Sequence, residues 1–191
     1  MTQTLLSRTP RAELPAQFHH AWDTLNSLTG EPSFVEVFAQ TPELLDFVMN
    51  RFYAQIFFGG RVDNRYKQLA RLKLSLIHGC RTCNKQNVPG SLQAGLSQAQ
   101  IDAMEDFESG PFADDEKAVL RYAQQMALTN TEGALSPDLY RELRAHFSDA
   151  EILELGACMA VIGGLAKLSF VLNLVEKETY CPFAPAAGVV S

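Results

Sequence analysis

Leu69-Ala-Arg-Leu-Lys-Leu-Ser-Leu-Ile-His78-Gly79-Cys80-Arg81-Thr82-Cys83 is the stretch on which the reading of this chain turns. A helix-like run from Leu69 to Gly79 leads straight into two thiols three residues apart. A second helix-like run, Thr82 to Leu96, begins inside that pair. If the second run is a helix, Cys80 lies near its first turn, where unpaired N–H groups and the positive dipole end favour a thiolate. A CxxC pair can close a disulfide between neighbouring turns, so the spacing points to reversible two-electron redox chemistry at Cys80 and Cys83. Zinc is the first competing reading, but a structural site needs four ligands. Cys158 and Cys181 stand alone, and His78 does not complete a set. Inert core thiols and a secreted-type structural bridge compete as well. Redox use is favoured.

Working outward, almost every readable segment is helical and no alternating strand pattern emerges. Ala16 to Leu28 forms a first helix, ended by Thr29-Gly30-Glu31-Pro32. Thr41-Pro42-Glu43 signals another start, with a capping hydroxyl, Pro at the first helical position and an acid in the first turn. That helix carries a broad apolar stripe from Leu44 to Phe57 and stops at Gly59-Gly60. Asp63 or Asn64 caps the next one. Pro89-Gly90, soon after the CxxC, is expected to bend or split its helix. Ser97-Gln98-Ala99-Gln100 and Ser148-Asp149-Ala150-Glu151 are capping boxes, and Ser136-Pro137-Asp138 is a further start. Leu155 to Val175 is apolar nearly all round and long enough to span a bilayer. Lys167, Asn173 and the Gly163-Gly164 pair interrupt it, and acids flank it, so a buried or subunit-contact helix is the expectation. The tail after Tyr180 reads as an extended arm. The pattern predicts an all-α domain of about eight helices.

Bulk composition narrows the function. The chain has 191 residues, 47% of them hydrophobic, and a net charge of -6 from 16 basic and 22 acidic side chains. Length and apolar content suffice for one domain over 1–191 with a sizeable core. An acidic chain with no basic run offers little to nucleic acid or an anionic membrane surface. Met1 to Arg11 lacks the apolar centre of an export signal, so a cytoplasmic location is expected, where cysteines read as thiols. No phosphate-cradling loop, Ser-His-Asp set or metal-spaced cluster occurs, so neither a cofactor nor a metal is expected.

With its surroundings, the motif resembles a known family. Arg71-Leu-Lys-Leu-Ser75-Leu-Ile-His-Gly79-Cys80-Arg-Thr-Cys83, followed by Ala94-Gly95-Leu96-Ser97-Gln98-Ala99-Gln100-Ile101, is similar to the alkylhydroperoxidase D (AhpD)-like group of the carboxymuconolactone decarboxylase superfamily. The likeness continues through Asp114 to Leu120 and Phe147 to Ile152, a core of about 42–176. It implies an AhpD-like helical bundle assembled as a homo-oligomer, a trimer or hexamer. It also implies a CxxC dithiol that reduces hydroperoxides and is restored by a dithiol or lipoyl-type reductant. In the redox members a Glu stands twelve residues before the first Cys, and a His four after the second. Here those places hold Gln68 and Asn87, and a further His position is Thr82. Amides hold water or substrate oxygen but take up no proton at neutral pH. His78, with Arg81 or Lys85 as thiolate-stabilising cations, is the nearest substitute. Beside the thiol peroxidase stand a decarboxylase or lactone-type enzyme on this scaffold and a non-catalytic redox-sensing protein.

Overall fold

The computed structural model describes residues 4–183, and among them the architecture is all-helical. Nine α-helices follow one another: α1 (His19–Thr29), α2 (Ser33–Phe38), α3 (Pro42–Asp46), α4 (Asn64–Ile77), α5 (Arg81–Gln93), α6 (Gln98–Asp102), α7 (Asp114–Met126), α8 (Pro137–Arg144) and α9 (Asp149–Val171). Between α3 and α4 runs a π-helical segment, Phe47–Phe57.

Local chemistry sets most boundaries. The Asp63 carboxylate accepts from Arg65 N at the start of α4, and Ser136 from Leu139 N at α8. Ser97 and Ser148 form reciprocal capping boxes with Gln100 and Glu151. Gly30 closes α1 at φ 70°, a left-handed turn in which its N–H reaches Asn26 O at 2.8 Å.

α4 is the axis. Its Leu69, Leu72 and Leu74 are fully buried against Val119, Leu120 and Ala123 of α7, Leu143 of α8, and Leu155 and Met159 of α9. A second core joins Leu14, Phe18, Val35, Phe38, Leu45 and Val48 to Leu174, tying the N-terminal helices to the end of the chain. α5 packs along α4 and carries the CxxC at its head.

Several expectations need correction. Helix α2 has no signature in the sequence: six residues with four apolar ones show no period that distinguishes helix from strand. The Thr41 hydroxyl makes no capping bond. The helix it opens keeps ordinary α geometry only to Asp46 and then widens, as Phe58 N reaching Tyr53 O at 2.9 Å shows. Pro89 neither splits nor ends α5. The long apolar helix begins at Asp149, and only 39% of its most apolar window is buried. One side, with Ile152, Leu155 and Met159, meets the core, while Leu153 and Val171 are about 70% exposed, at 72% and 68%. The C-terminal arm after Tyr180 lies largely outside the described residues.

Candidate active site

Cys80 is the N-cap of α5, and Cys83 N–H donates to its sulfur at 3.2 Å. The two cysteines are joined in a disulfide with Cα atoms 5.2 Å apart. When the bond is open, that N–H and the helix dipole face the Cys80 sulfur, which lowers the cost of a thiolate there. Cys80 is buried and Cys83 half-buried. Both line a cavity of about 620 Å³ with many apolar wall residues, among them Phe18, Leu25 and Phe34 from the N-terminal helices and Leu165 and Ala166 from α9.

The C-terminal segment straps the motif in place. Cys80 forms an antiparallel bridge with Lys177, and Glu178 N donates to Gly79 O at 2.8 Å. Thr82 is buried and its hydroxyl accepts from Glu176 N at 2.8 Å. Arg81 pairs with Glu178 and Lys85 with Glu176, at 3.1 and 2.9 Å. Both cations therefore have carboxylate partners in the strap. Gly79, at φ 62°, makes the turn between α4 and α5, and a Cβ there would stand 2.6 Å from Cys181 Cα. Only glycine fits that turn.

His78 lies on the cavity wall but is not a solvated helix end. It is buried, and its Nε2 accepts from Leu128 N at 3.0 Å. The neutral ring therefore carries its proton on Nδ1. Burial pushes its pKa down to about 4. With its Nε2 lone pair engaged, His78 anchors the end of α7 to the CxxC turn.

Gln68 and Asn87 are both buried, and both amide oxygens lack a hydrogen-bond partner, as does the Ser91 hydroxyl. Gln68 lies against Gly90 of α5, where a Cβ would meet its Oε1 at 3.3 Å. Asn87 and Ser91, one turn apart, flank that contact. The α4–α5 seam thus holds three oxygen acceptors able to receive a water or a hydroxyl, and Asn87 reaches the cavity wall. Arg71, buried on the same wall, is a residue that sequence reasoning missed. Its signal was a cation set between Ala70 and Leu72 in a helical run with a leucine stripe. Among the described residues no group of three His, Cys, Asp or Glu side chains could hold a metal.

Residues 42–125 match the model of the carboxymuconolactone decarboxylase family. A crystal structure of an Agrobacterium tumefaciens protein of unknown function, described as an AhpD candidate in antioxidant defence, shares 27% identity with a TM-score of 0.61, covering 71% of this chain and 91% of that one. The chain thus carries a carboxymuconolactone decarboxylase family region over residues 42–125 and is similar in fold to AhpD-like proteins. Two further neighbours share the fold at lower identity. The debrominase Bmp8, solved as a cysteine-to-alanine variant with 2,3,4-tribromopyrrole, aligns with TM-score 0.73 at 16% identity over 93% of each chain. A Ralstonia eutropha peroxidase-related protein with an AhpD core gives 0.69 at 15%, over 93% of this chain and 95% of that one. Uncharacterized proteins from two Mycobacterium tuberculosis strains are 36% identical over 95 residues, 49% of this chain and 33% of theirs. The chain thus matches only about a third of the length of those curated relatives.

Proposed function

We propose that this AhpD-like chain is a thiol oxidoreductase that cycles between the Cys80/Cys83 dithiol and its disulfide, reducing a hydroperoxide at the expense of a dithiol. The observation that carries this reading is the disulfide itself, capping α5 and lining a mostly apolar cavity. Cys83, the more accessible sulfur, meets the substrate. Its thiolate attacks the outer peroxide oxygen, the O–O bond breaks, and the alkoxide leaves as alcohol with a proton from water. The sulfenic acid on Cys83 is then attacked by the Cys80 thiolate, releasing the oxygen as water and closing the disulfide. A dithiol such as a lipoyl group returns two electrons and two protons by exchange.

Gln68, Asn87 and Ser91 supply hydrogen-bond acceptors where the redox relatives supply an acid and a base, so turnover is slower than a full relay would give. A positioned base is worth ~10²–10⁴-fold. The reading sets the protein in a reducing cytoplasm, which keeps the dithiol available. It also makes the chain a homo-oligomer: Leu44, Phe47 and Phe58 are 52%, 49% and 55% exposed, and with Leu153 and Val171 they leave apolar surface for a second copy.

Peroxide consumption with dihydrolipoamide, compared between the natural protein and Cys83→Ser, tests the proposal. The variant should lose at least a hundredfold in rate. Equal rates overturn the reading. A disulfide that forms without turnover favours the redox sensor, and turnover of a lactone or small acid that survives Cys83→Ser favours the decarboxylase-type enzyme.

A further inference from the structure

Helix α4 buries three cations, and two of them have oxygens to hold. Lys67 Nζ donates to Ile56 O at 2.6 Å and pairs with Glu154 at 2.8 Å. Lys73 Nζ donates to Met104 O at 2.7 Å. Arg71 is 7% exposed and has no acceptor and no carboxylate among the described residues. Its partners are two aromatic faces, with Cζ 5.3 Å from the Tyr53 ring centre and 5.4 Å from that of Phe57. The rings hold the guanidinium by cation–π contact and leave its N–H edge without an acceptor. The widened turn of the π-helical segment brings both rings to this point.

Arg71 lines the same cavity as Cys80 and Cys83. A buried charge with no counter-ion is costly unless something supplies one. The cavity wall does not. Its one acid, Glu31, is held by Arg8 at 3.5 Å and by the Ser33 hydroxyl. The two wall histidines, His20 at the exposed rim and His78 within, contribute no negative charge. Two wall serines are also engaged: Ser75 donates to Leu72 O and Ser169 to Leu165 O. We propose that Arg71 is an anion-recognition residue and that the cavity takes an organic carboxylate whose apolar body reaches toward the Cys80–Cys83 pair.

The geometry also sets a length. Arg71, Ser75 and His78 form one stripe of α4, and seven residues of helix separate the cation from the CxxC turn by about 10 Å. A carboxylate accepts two parallel N–H bonds from a guanidinium, which fixes orientation as well as affinity. The molecule that fits carries its anion at one end and its reactive group several carbons away. The reacting end of this assignment rests on the thiol oxidoreductase reading, whereas the recognition end does not.

Binding is therefore measured with neither peroxide nor reductant. Calorimetric titration of the full chain compares 4-phenylbutyrate with its neutral isostere 4-phenylbutanamide. The acid should bind at least tenfold more tightly. Arg71→Met should remove that preference, and Arg71→Lys should keep part of it. Equal affinities in the natural protein, no binding of the acid, or a preference that survives Arg71→Met overturns the proposal. If circular dichroism shows Arg71→Met unfolded, the acid-over-amide ratio in the natural protein and its fall in Arg71→Lys decide. Peroxide turnover that survives Cys83→Ser would overturn the oxidoreductase reading and leave this result untouched, so the two readings fail separately.

Discussion

Cys80 and Cys158 are both buried, at 1% and 2% exposure, and both pack against phenylalanines, yet their surroundings push their chemistry in opposite directions. Cys80 stands at the head of a helix, with a backbone N–H aimed at its sulfur. Cys158 stands in the middle of α9, where every nearby N–H is committed to the helix, and burial pushes its thiol up to about 11. Lys67 pulls the other way, but that ammonium is already paired with Glu154. Depth alone therefore decides little about a cysteine in this fold. What decides is whether the backbone leaves a donor free to meet a thiolate.

The comparison is broken most directly by alkylation. In reduced protein at neutral pH, Cys158 carries roughly a hundredfold less thiolate than an ordinary cysteine. Iodoacetamide labelling followed by peptide mass spectrometry should show the Cys80/Cys83 peptide labelled at least a hundredfold faster than the Cys158 peptide. Comparable rates would mean that the helix head confers no reactivity.

A smaller effect sharpens the reactive side. Gln68→Glu combined with Asn87→His should raise peroxide turnover several-fold, since it returns a proton acceptor and donor to the α4–α5 seam. An unchanged or lower rate, in a variant that keeps its melting temperature, would show the seam arranged for another task.

The smallest effect concerns what holds the reactive loop. His78→Phe leaves Leu128 N–H without its acceptor and should cost about 1–3 kcal/mol. His78 also gives stability a pH dependence. The unfolded chain protonates this ring near 6.5, whereas the fold does so only near 4. Between those values the unfolded chain binds more protons, so stability present above pH 6.5 is lost as pH falls toward 4. Denaturant melts of the natural protein and the variant should differ in slope across that window. Identical slopes would assign the acid sensitivity elsewhere.

The sequence made the helix caps legible because each is a local contract between a side chain and two or three N–H groups. Ser97 with Gln100, Ser148 with Glu151, and Asp63 all act as their spacing predicts. The CxxC at a helix head was legible for the same reason. The π-helical widening at Phe47–Phe57 was not, because the apolar stripe there suits several helical periods and packing chooses among them. Nor was the isolation of Arg71, since a missing partner is a property of the folded cavity. The acceptor role of His78 was not legible either, because it depends on Leu128, fifty residues away.

The strap over the CxxC has a consequence for biosynthesis. Residues 79–83 leave the ribosome well before residues 176–181, yet Gly79 O, the Thr82 hydroxyl, Arg81 and Lys85 all find their partners in that later stretch. Contacts separated by 91 to 99 residues form late, because the chain between them must first be ordered. During synthesis the two thiols therefore emerge on a loop that has no clasp until the last helix and the stretch after it have been made.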